Sequence, residues 1–339
     1  MISQVATDIR ADATTGLDVG VEVTVVVPTY RRDTRLAFTL EALAEQTLDP
    51  SRFEVLVIRD EDTPLVAPPP AGLDVRFITQ PAPGPALRRN RGWQEARGSL
   101  IAFTDDDCRP APGWLEALLE AHVQVGPKAI LGGRTEPDPD EAHLHVGLAR
   151  SMQSYGPNRW YPTCNLAMPR AMIESLGGFD PDLAFWGEDT DLGLRAEENG
   201  AELVYVDEAI VWHAVHIRTL GKALRDATER HADAEVLARH PSHRDELYLG
   251  LFISEDHALI TAAAMGVLAG VLTRRPKVAA LGAYPYVIHK LGARPLHPKF
   301  NTPLGFARFG VDVVTEALVD GTEVAMRLRT SIRKRALVL

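Results

Sequence analysis

The ten residues LIAFTDDDCR (Leu100–Arg109) set a short apolar run directly against three successive aspartates. Four apolar residues closed by a turn read as a strand covered on both faces. Carboxylates that close together repel one another unless water screens them or a cation lies among them. Their hard oxygens suit Mg2+ or Mn2+, ions that keep further positions open for phosphate oxygens. A metal holding a diphosphate makes it a better leaving group.

The flanking sequence supplies the framework for that strand. VTVVV (Val23–Val27) is a β-branched run stopped by Pro28, and Leu36, Leu40, Leu43 and Ala44 then recur at helical spacing. FEVLVI (Phe53–Ile58) and Val75–Thr79 read as strands, and Pro85–Ala96 as a helix ended by Gly98. Strand and helix therefore alternate, which predicts an α/β fold with a mostly parallel sheet flanked by helices and right-handed crossovers. Ligands of such sheets collect beyond the carboxyl ends of the strands, where Asp60 and Asp105–Asp107 both fall.

After Gly126 the pattern loosens into turns. Glu188–Glu198 reads as a helix with Gly200 just past its end, Leu203–Val206 as a strand, and a second apolar run reaches Trp212. Beyond about residue 220 the pattern is helical. The expected organisation is a flexible tail over 1–20, a nucleotide-binding half over 21–125, an acceptor-binding half over 126–220 and a helical carboxy-terminal extension over 221–339.

A second acidic cluster, WGEDTDLGLR, places Glu188, Asp189 and Asp191 at a helix start, where the helix dipole favours negative charge. The flanking Phe185, Trp186 and Gly187 add apolar walls, and desolvation there raises a carboxyl toward the range of a working base. His213 ends the run AIVWH and is a candidate third metal ligand, with His216 as its rival.

Charge narrows the function classes. With 36 Lys+Arg against 46 Asp+Glu the formal net charge is -10, which argues against a general nucleic-acid binder. Two cysteines make no disulfide framework, and the amino-terminal residues show no apolar signal segment, so the expected setting is cytoplasmic. ALITAAAMGVLAGVL (Ala258–Leu272) falls short of the roughly 20 apolar residues of a spanning helix and is read as a buried core helix, with a membrane-surface helix as the alternative. From Val324 onward a basic amphipathic pattern suits either contact with anionic lipid at the inner face of a membrane or a solvated terminal helix.

Taken in order, VTVVVPTYRR, FEVLVIRDED, GPALRRNRGWQEARGSLIAFTDDDC, CNLAMPRAMIESLGGFD, WGEDTDLGLR and AIVWH resemble the motifs of the family-2 inverting glycosyltransferases with a GT-A fold, over roughly Val21–His216. The resemblance implies a nucleoside pocket lined by Pro28 and Thr29, with Asp60 on the base and Arg89 and Asn90 near the nucleotide. It implies a metal (Mn2+ or Mg2+) held by Asp105, Asp107 and His213, with Asp106 toward the ribose or sharing the metal, and Asp189 as the general base. Trp186, Glu188 and Asp191 then fall on the acceptor side. Two positions depart from the family pattern: Arg59 stands where an acid is usual, and Arg88 where an alanine is usual.

The function so implied is metal-dependent, inverting transfer of a sugar from a UDP-, GDP- or dTDP-sugar to an acceptor hydroxyl on a glycan, a lipid-linked precursor or a small molecule. Tyr155, Trp160, Tyr161 and Trp186 are candidates for stacking a sugar ring. A sugar-nucleotide nucleotidyltransferase shares the architecture, but PTYRRDTR holds no glycine-rich phosphate loop. A glycosidase also uses paired carboxylates. A non-catalytic module of the same fold would be expected to lack the carboxylates that this chain retains.

Overall fold

The computed structural model describes residues 20–30, 32–60, 68–81, 83–183, 185–229, 232–292, 303–335 and 337–339, with the side chains of residues 33 and 303–309 left aside. The expected amino-terminal tail lies outside the described residues except for Gly20.

One sheet organises the molecule. Its first strands are β1 (Val23–Pro28), β2 (Phe53–Arg59), β3 (Val75–Thr79) and β4 (Leu100–Phe103). β5 (Cys108–Pro110), β6 (Ala129–Pro137), β7 (Leu166–Pro169) and β8 (Glu202–His213) complete it. The spatial order is β3-β2-β1-β4-β7-β6-β8-β5. β3, β2, β1 and β4 run parallel, as does the β6–β8 pair, whereas β7 and β5 are antiparallel to their neighbours, so the sheet is mixed. The two halves expected from sequence share this single sheet.

Both faces of the sheet are covered, which is why its central strands read as continuous apolar runs. On one face Val23, Val25 and Val27 pack with Leu36, Leu40 and Leu43 of α1 (Asp33–Ala44). On the other, Val26, Leu56, Ile101 and Phe103 pack with Ala86 and Trp93 of α2 (Pro85–Glu95). Each fully buried aliphatic side chain contributes roughly 1.5–3 kcal/mol relative to exposure, so sliding β1 out of register would forfeit several such terms at once. Glu54, a charged residue in a central strand with no exposed surface, is held by Thr24 Oγ1 (2.9 Å), Arg97 N (2.7 Å), Arg97 Nε (2.8 Å) and Arg76 Nη1 (3.1 Å).

α3 (Trp114–Val125) crosses back over the sheet. β8 is one 12-residue strand, where the sequence suggested two runs. It stays paired with β6 through a register shift: Gly133 opposes Val206 and Arg134 opposes Ile210, so residues 207–209 bulge outward. Asn165 fastens the bulge, its Nδ2 donating to Ala209 O (2.8 Å) and Arg134 O (2.9 Å) while its Oδ1 accepts from Trp114 Nε1 (2.8 Å). The bulge lets β8 run on to His213 beside β5 and the aspartates.

α4 (Arg170–Ser175) and α5 (Glu188–Glu198) follow β7. From Leu220 the chain is helical, as expected: α6 (Leu220–Glu229), α7 (Ala232–Arg239), α8 (Glu255–Leu272), α9 (Pro276–Gly292) and α10 (Pro303–Lys334). α8 corrects the core-helix expectation, since only His257, Ala263 and Gly270 of its 18 residues are buried. Its inner side packs on α9 and α10 around Ala263, Tyr286 and Val313, leaving the outer side bare. The basic end of α10 is partly built into the fold: Arg327 is buried against Asp233 and Glu323, while Leu328 and Ile332 are exposed.

Candidate active site

The parallel register puts the carboxyl ends of β1, β2 and β4 side by side, so Thr29, Asp60 and Asp105–Asp107 all follow from the same edge of the sheet. Asp106 turns toward the loop after β1, accepting from Thr29 Oγ1 (2.7 Å) and Tyr30 N (3.4 Å). Arg32 donates to both Asp106 Oδ1 (3.2 Å) and Asp107 Oδ2 (2.5 Å). Burial and the neighbouring Asp107 charge push Asp106 up to about 6, against the opposing pull of Arg32 and Thr29.

Asp107 points the other way, toward two histidines. Strand pairing sets Cys108 opposite His213, and Ala214 N donates to Asp107 O (2.9 Å), which brings the segment after β8 over the aspartate. His216 Nε2 lies 2.9 Å from Asp107 Oδ2 and His213 Nε2 lies 3.7 Å from Asp107 Oδ1. Burial works against ionisation of Asp107, but the His216 hydrogen bond and the charges of His213 and Arg32 outweigh it and hold the carboxyl well below the usual range.

One ligand atom from each of Asp107, His213 and His216 fits within 4.8 Å. His213 Nδ1 donates to Ala214 O (2.9 Å), which turns Nε2 toward Asp107 as the ring atom open to a cation. His216 is fixed by a backbone bridge to Arg150. These residues fit a divalent cation, and two imidazoles beside one carboxylate suit Mn2+ better than the all-oxygen preference of Mg2+.

Asp105 takes a different partner. Its Oδ1 accepts from Arg89 Nη2 (2.9 Å), and the other arm of the same guanidinium, Nη1, donates to Glu188 Oε1 (2.7 Å). Arg89 and Glu188 are both nearly fully buried, at 4% exposure each. The cation-binding side and the cluster at the start of α5 are thus joined through one arginine. Gly187 makes the turn into α5 with φ +83°, and a Cβ there would stand 2.7 Å from Val236, so the carboxylates are set by a position only glycine fills without strain.

Glu188 and Asp189 behave as a pair, both raised above the usual carboxylate range. Burial is the main cause for each; Glu188 is pushed further by the charge of Asp189, and Arg89 opposes both shifts. Asp189 lands at about 6, with its Oδ1 held by Thr190 N (2.8 Å).

Other residues singled out from sequence fall as follows. Pro28 ends β1 beside Ile58, and Asp60, one residue past β2, is buried. Asn90, expected at the nucleotide, is instead committed to the loop before α5: its Nδ2 donates to Phe179 O (2.7 Å) and its Oδ1 accepts from Phe179 N (2.8 Å) and Trp93 Nε1 (2.9 Å). Asp191, expected on the acceptor side, is buried and tied to Arg195 (2.8 Å) and His240 (3.1 Å), an anchor between α5 and the chain after α7. Of the four candidate stacking aromatics, Tyr161 is fully buried over Gly193 and Trp160 packs edge-on against His243 (4.7 Å), whereas Tyr155 and Trp186 are exposed.

Sequence reasoning passed over Arg32, although TYRRDTR sets two arginines just past a strand end. Arg88, the departure from the family pattern, is buried with its guanidinium 5.2 Å from the Tyr30 ring, and its Nε has no hydrogen-bond partner among the described residues. Burial lowers its pKa, and the charge of Asp60 is the largest effect opposing that.

Comparison with known proteins places this architecture. The family model Glycosyl transferase family 2 matches residues 24–174. A validoxylamine A glucosyltransferase of Streptomyces hygroscopicus subsp. limoneus is 31% identical over 266 residues, covering 67% of this chain and 58% of that protein. Its counterpart in strain 5008 of subsp. jinggangensis is 30% identical, covering 67% and 63%. The chain therefore matches about three fifths of the length of these relatives. A mannosyltransferase from Pyrobaculum calidifontis, solved with GDP-Man and Mn2+, aligns over 94% of this chain and 90% of its own with a TM-score of 0.54 at 17% identity, a likeness of fold. Residues 24–174 thus carry a glycosyl transferase family 2 match within a chain that has the GT-A fold.

Proposed function

We propose that this protein is a metal-dependent, inverting glycosyltransferase that moves a sugar from a nucleotide-sugar donor to an acceptor hydroxyl. The observation that carries the reading is the buried link Asp105–Arg89–Glu188, which fixes the Asp107, His213 and His216 cluster relative to the base candidate Asp189. The family match over residues 24–174 supports the reaction class, and the likeness to two validoxylamine A glucosyltransferases supports a glucosyl or related hexosyl donor.

In this reading Thr29, Asp60 and Asp106 bind the nucleoside, and Asp107, His213 and His216 hold the cation. When bound, the cation neutralises charge that builds on the departing diphosphate. Asp189 accepts the proton of the acceptor hydroxyl as its oxygen bonds to the anomeric carbon from the face opposite the leaving group. The bond from that carbon to the diphosphate oxygen breaks in the same displacement, so configuration inverts and a nucleoside diphosphate leaves. Arg89 keeps Asp105 and Glu188 in place and offsets their charge, and Trp186, exposed beside the carboxylates, is placed to meet the acceptor ring.

Incubation of the protein with UDP-, GDP- and dTDP-hexoses and Mn2+, with and without polyhydroxylated acceptors, tests the proposal. Acceptor-dependent release of nucleoside diphosphate with an inverted anomeric product is expected. Release of free sugar without acceptor would indicate a hydrolase, and release of pyrophosphate from a sugar phosphate and a nucleoside triphosphate would indicate a nucleotidyltransferase.

A further inference from the structure

The hairpin of α8 and α9 presents an apolar outer surface to solvent. Met265, Leu268 and Leu272 are 67%, 59% and 75% exposed, and Leu281, Tyr284 and Ile288 follow at 74%, 61% and 44% along one stripe of α9. The spacing is helical on both elements, so each helix of the hairpin carries an exposed apolar stripe. Monomeric soluble surfaces rarely leave such a patch uncovered. Among the described residues α8 is the one helix long and apolar enough to cross a membrane by length and composition.

Three independent features say what covers it. From Ala258 to Val311 the chain contains no aspartate or glutamate, although it carries 46 of them and a formal net charge of -10. Within this acid-free stretch the hairpin tip holds Arg274, Arg275 and Lys277, all exposed. The two helices also touch backbone to backbone: a Cβ on Gly266 would stand 2.5 Å from Gly282 Cα, and one on Gly270 would stand 2.6 Å from Ala279 Cβ. Small residues at a helix crossing let helices associate without apolar side chains between them, which frees those side chains to face outward.

We infer that the α8–α9 hairpin is a membrane-docking element that lies in the surface of a bilayer containing anionic phospholipid. Met265, Leu268, Leu272, Leu281, Tyr284 and Ile288 enter the boundary between headgroups and acyl chains. Arg274, Arg275 and Lys277 reach the phosphates. A flat pose follows from the same residues. α8 is about 27 Å long at 1.5 Å per residue, shorter than the hydrocarbon core, and an upright hairpin would drive three cations through it. The root is held to the protein, where Lys290 pairs with Asp256 (2.9 Å) and Asp320 (3.1 Å). A second copy is the poorer occupant, because a twofold contact through this face would bring together two cationic, acid-free surfaces with nothing to neutralise them.

Flotation of the 339-residue chain with vesicles tests the inference. The protein is expected to float with equimolar phosphatidylglycerol and phosphatidylcholine, to remain unbound with phosphatidylcholine alone, and to be released by high salt. Replacing Arg274, Arg275 and Lys277 by glutamine should weaken binding by about fivefold per cation removed. Leu268→Glu with Leu272→Glu should abolish it with the circular dichroism spectrum unchanged. No flotation of the wild type, or flotation indifferent to both sets of substitutions, would overturn the inference. So would a dimer in solution that the glutamate variant splits, with no vesicle binding in either form.

Discussion

Arg89 and Glu188, 99 residues apart in sequence, form a 2.7 Å ion pair inside the protein, and the same guanidinium holds Asp105 at 2.9 Å. Removing the arginine strands two carboxylates around a buried space. Arg89→Ala is expected to destabilise the fold by about 3–5 kcal/mol, read by denaturant unfolding. Arg89→Lys keeps the charge but loses the two-armed fork, so the protein should fold while kcat falls by roughly 10²-fold through misplaced carboxylates. Wild-type turnover in Arg89→Lys would show that the link does not position the site.

The raised carboxyl of Asp189 sets the acid limb of the pH profile. A general base acts deprotonated, so its raised pKa moves the loss of activity upward from the usual carboxylate range. kcat/KM is therefore expected to fall tenfold per pH unit below about 6. A profile flat down to the ordinary aspartate range would contradict the assignment.

Metal binding separates the two histidines from ordinary strand-end residues. His216→Ala and His213→Ala should each weaken Mn2+ binding by about 10–100-fold in calorimetric titration with a nucleoside diphosphate present. Mn2+ should support more transfer than Mg2+, given two imidazoles in the donor set. Equal Mn2+ affinity in wild type and both variants would remove the cluster from the cation site.

Asn90 supplies a structural counterpart. With its amide committed to Phe179 and Trp93, Asn90→Ala is expected to cost about 2–3 kcal/mol of stability through unmet buried partners. Affinity for the nucleoside diphosphate, measured where the variant is folded, should be unchanged. A loss of nucleotide affinity at full stability would return Asn90 to the binding site.

The parallel strands were legible because both faces of the sheet are covered, so Val23–Val27 and Phe53–Ile58 read as unbroken apolar runs. Asp105–Asp107 and Glu188–Asp189 were legible because like charges cluster at element ends. The partnerships were not. Nothing local in GPALRRNRG says that Arg89 faces Glu188 or that Asn90 turns away toward Phe179; those choices follow from how α2 packs beside the loop before α5. His216 depends on the pairing of β5 with β8, and that pairing requires the β6–β8 register shift held by Asn165. α8 misled for a different reason: an apolar composition predicts that water is excluded, and does not say whether protein or lipid excludes it.

Asp189→Asn keeps the shape of the side chain and removes its basicity. Transfer is expected to fall by about 10²–10⁴-fold while Mn2+-dependent binding of the nucleoside diphosphate is unchanged in calorimetry. Transfer at the wild-type rate, or nucleotide binding lost along with it, would contradict Asp189 as the base of the proposed transfer.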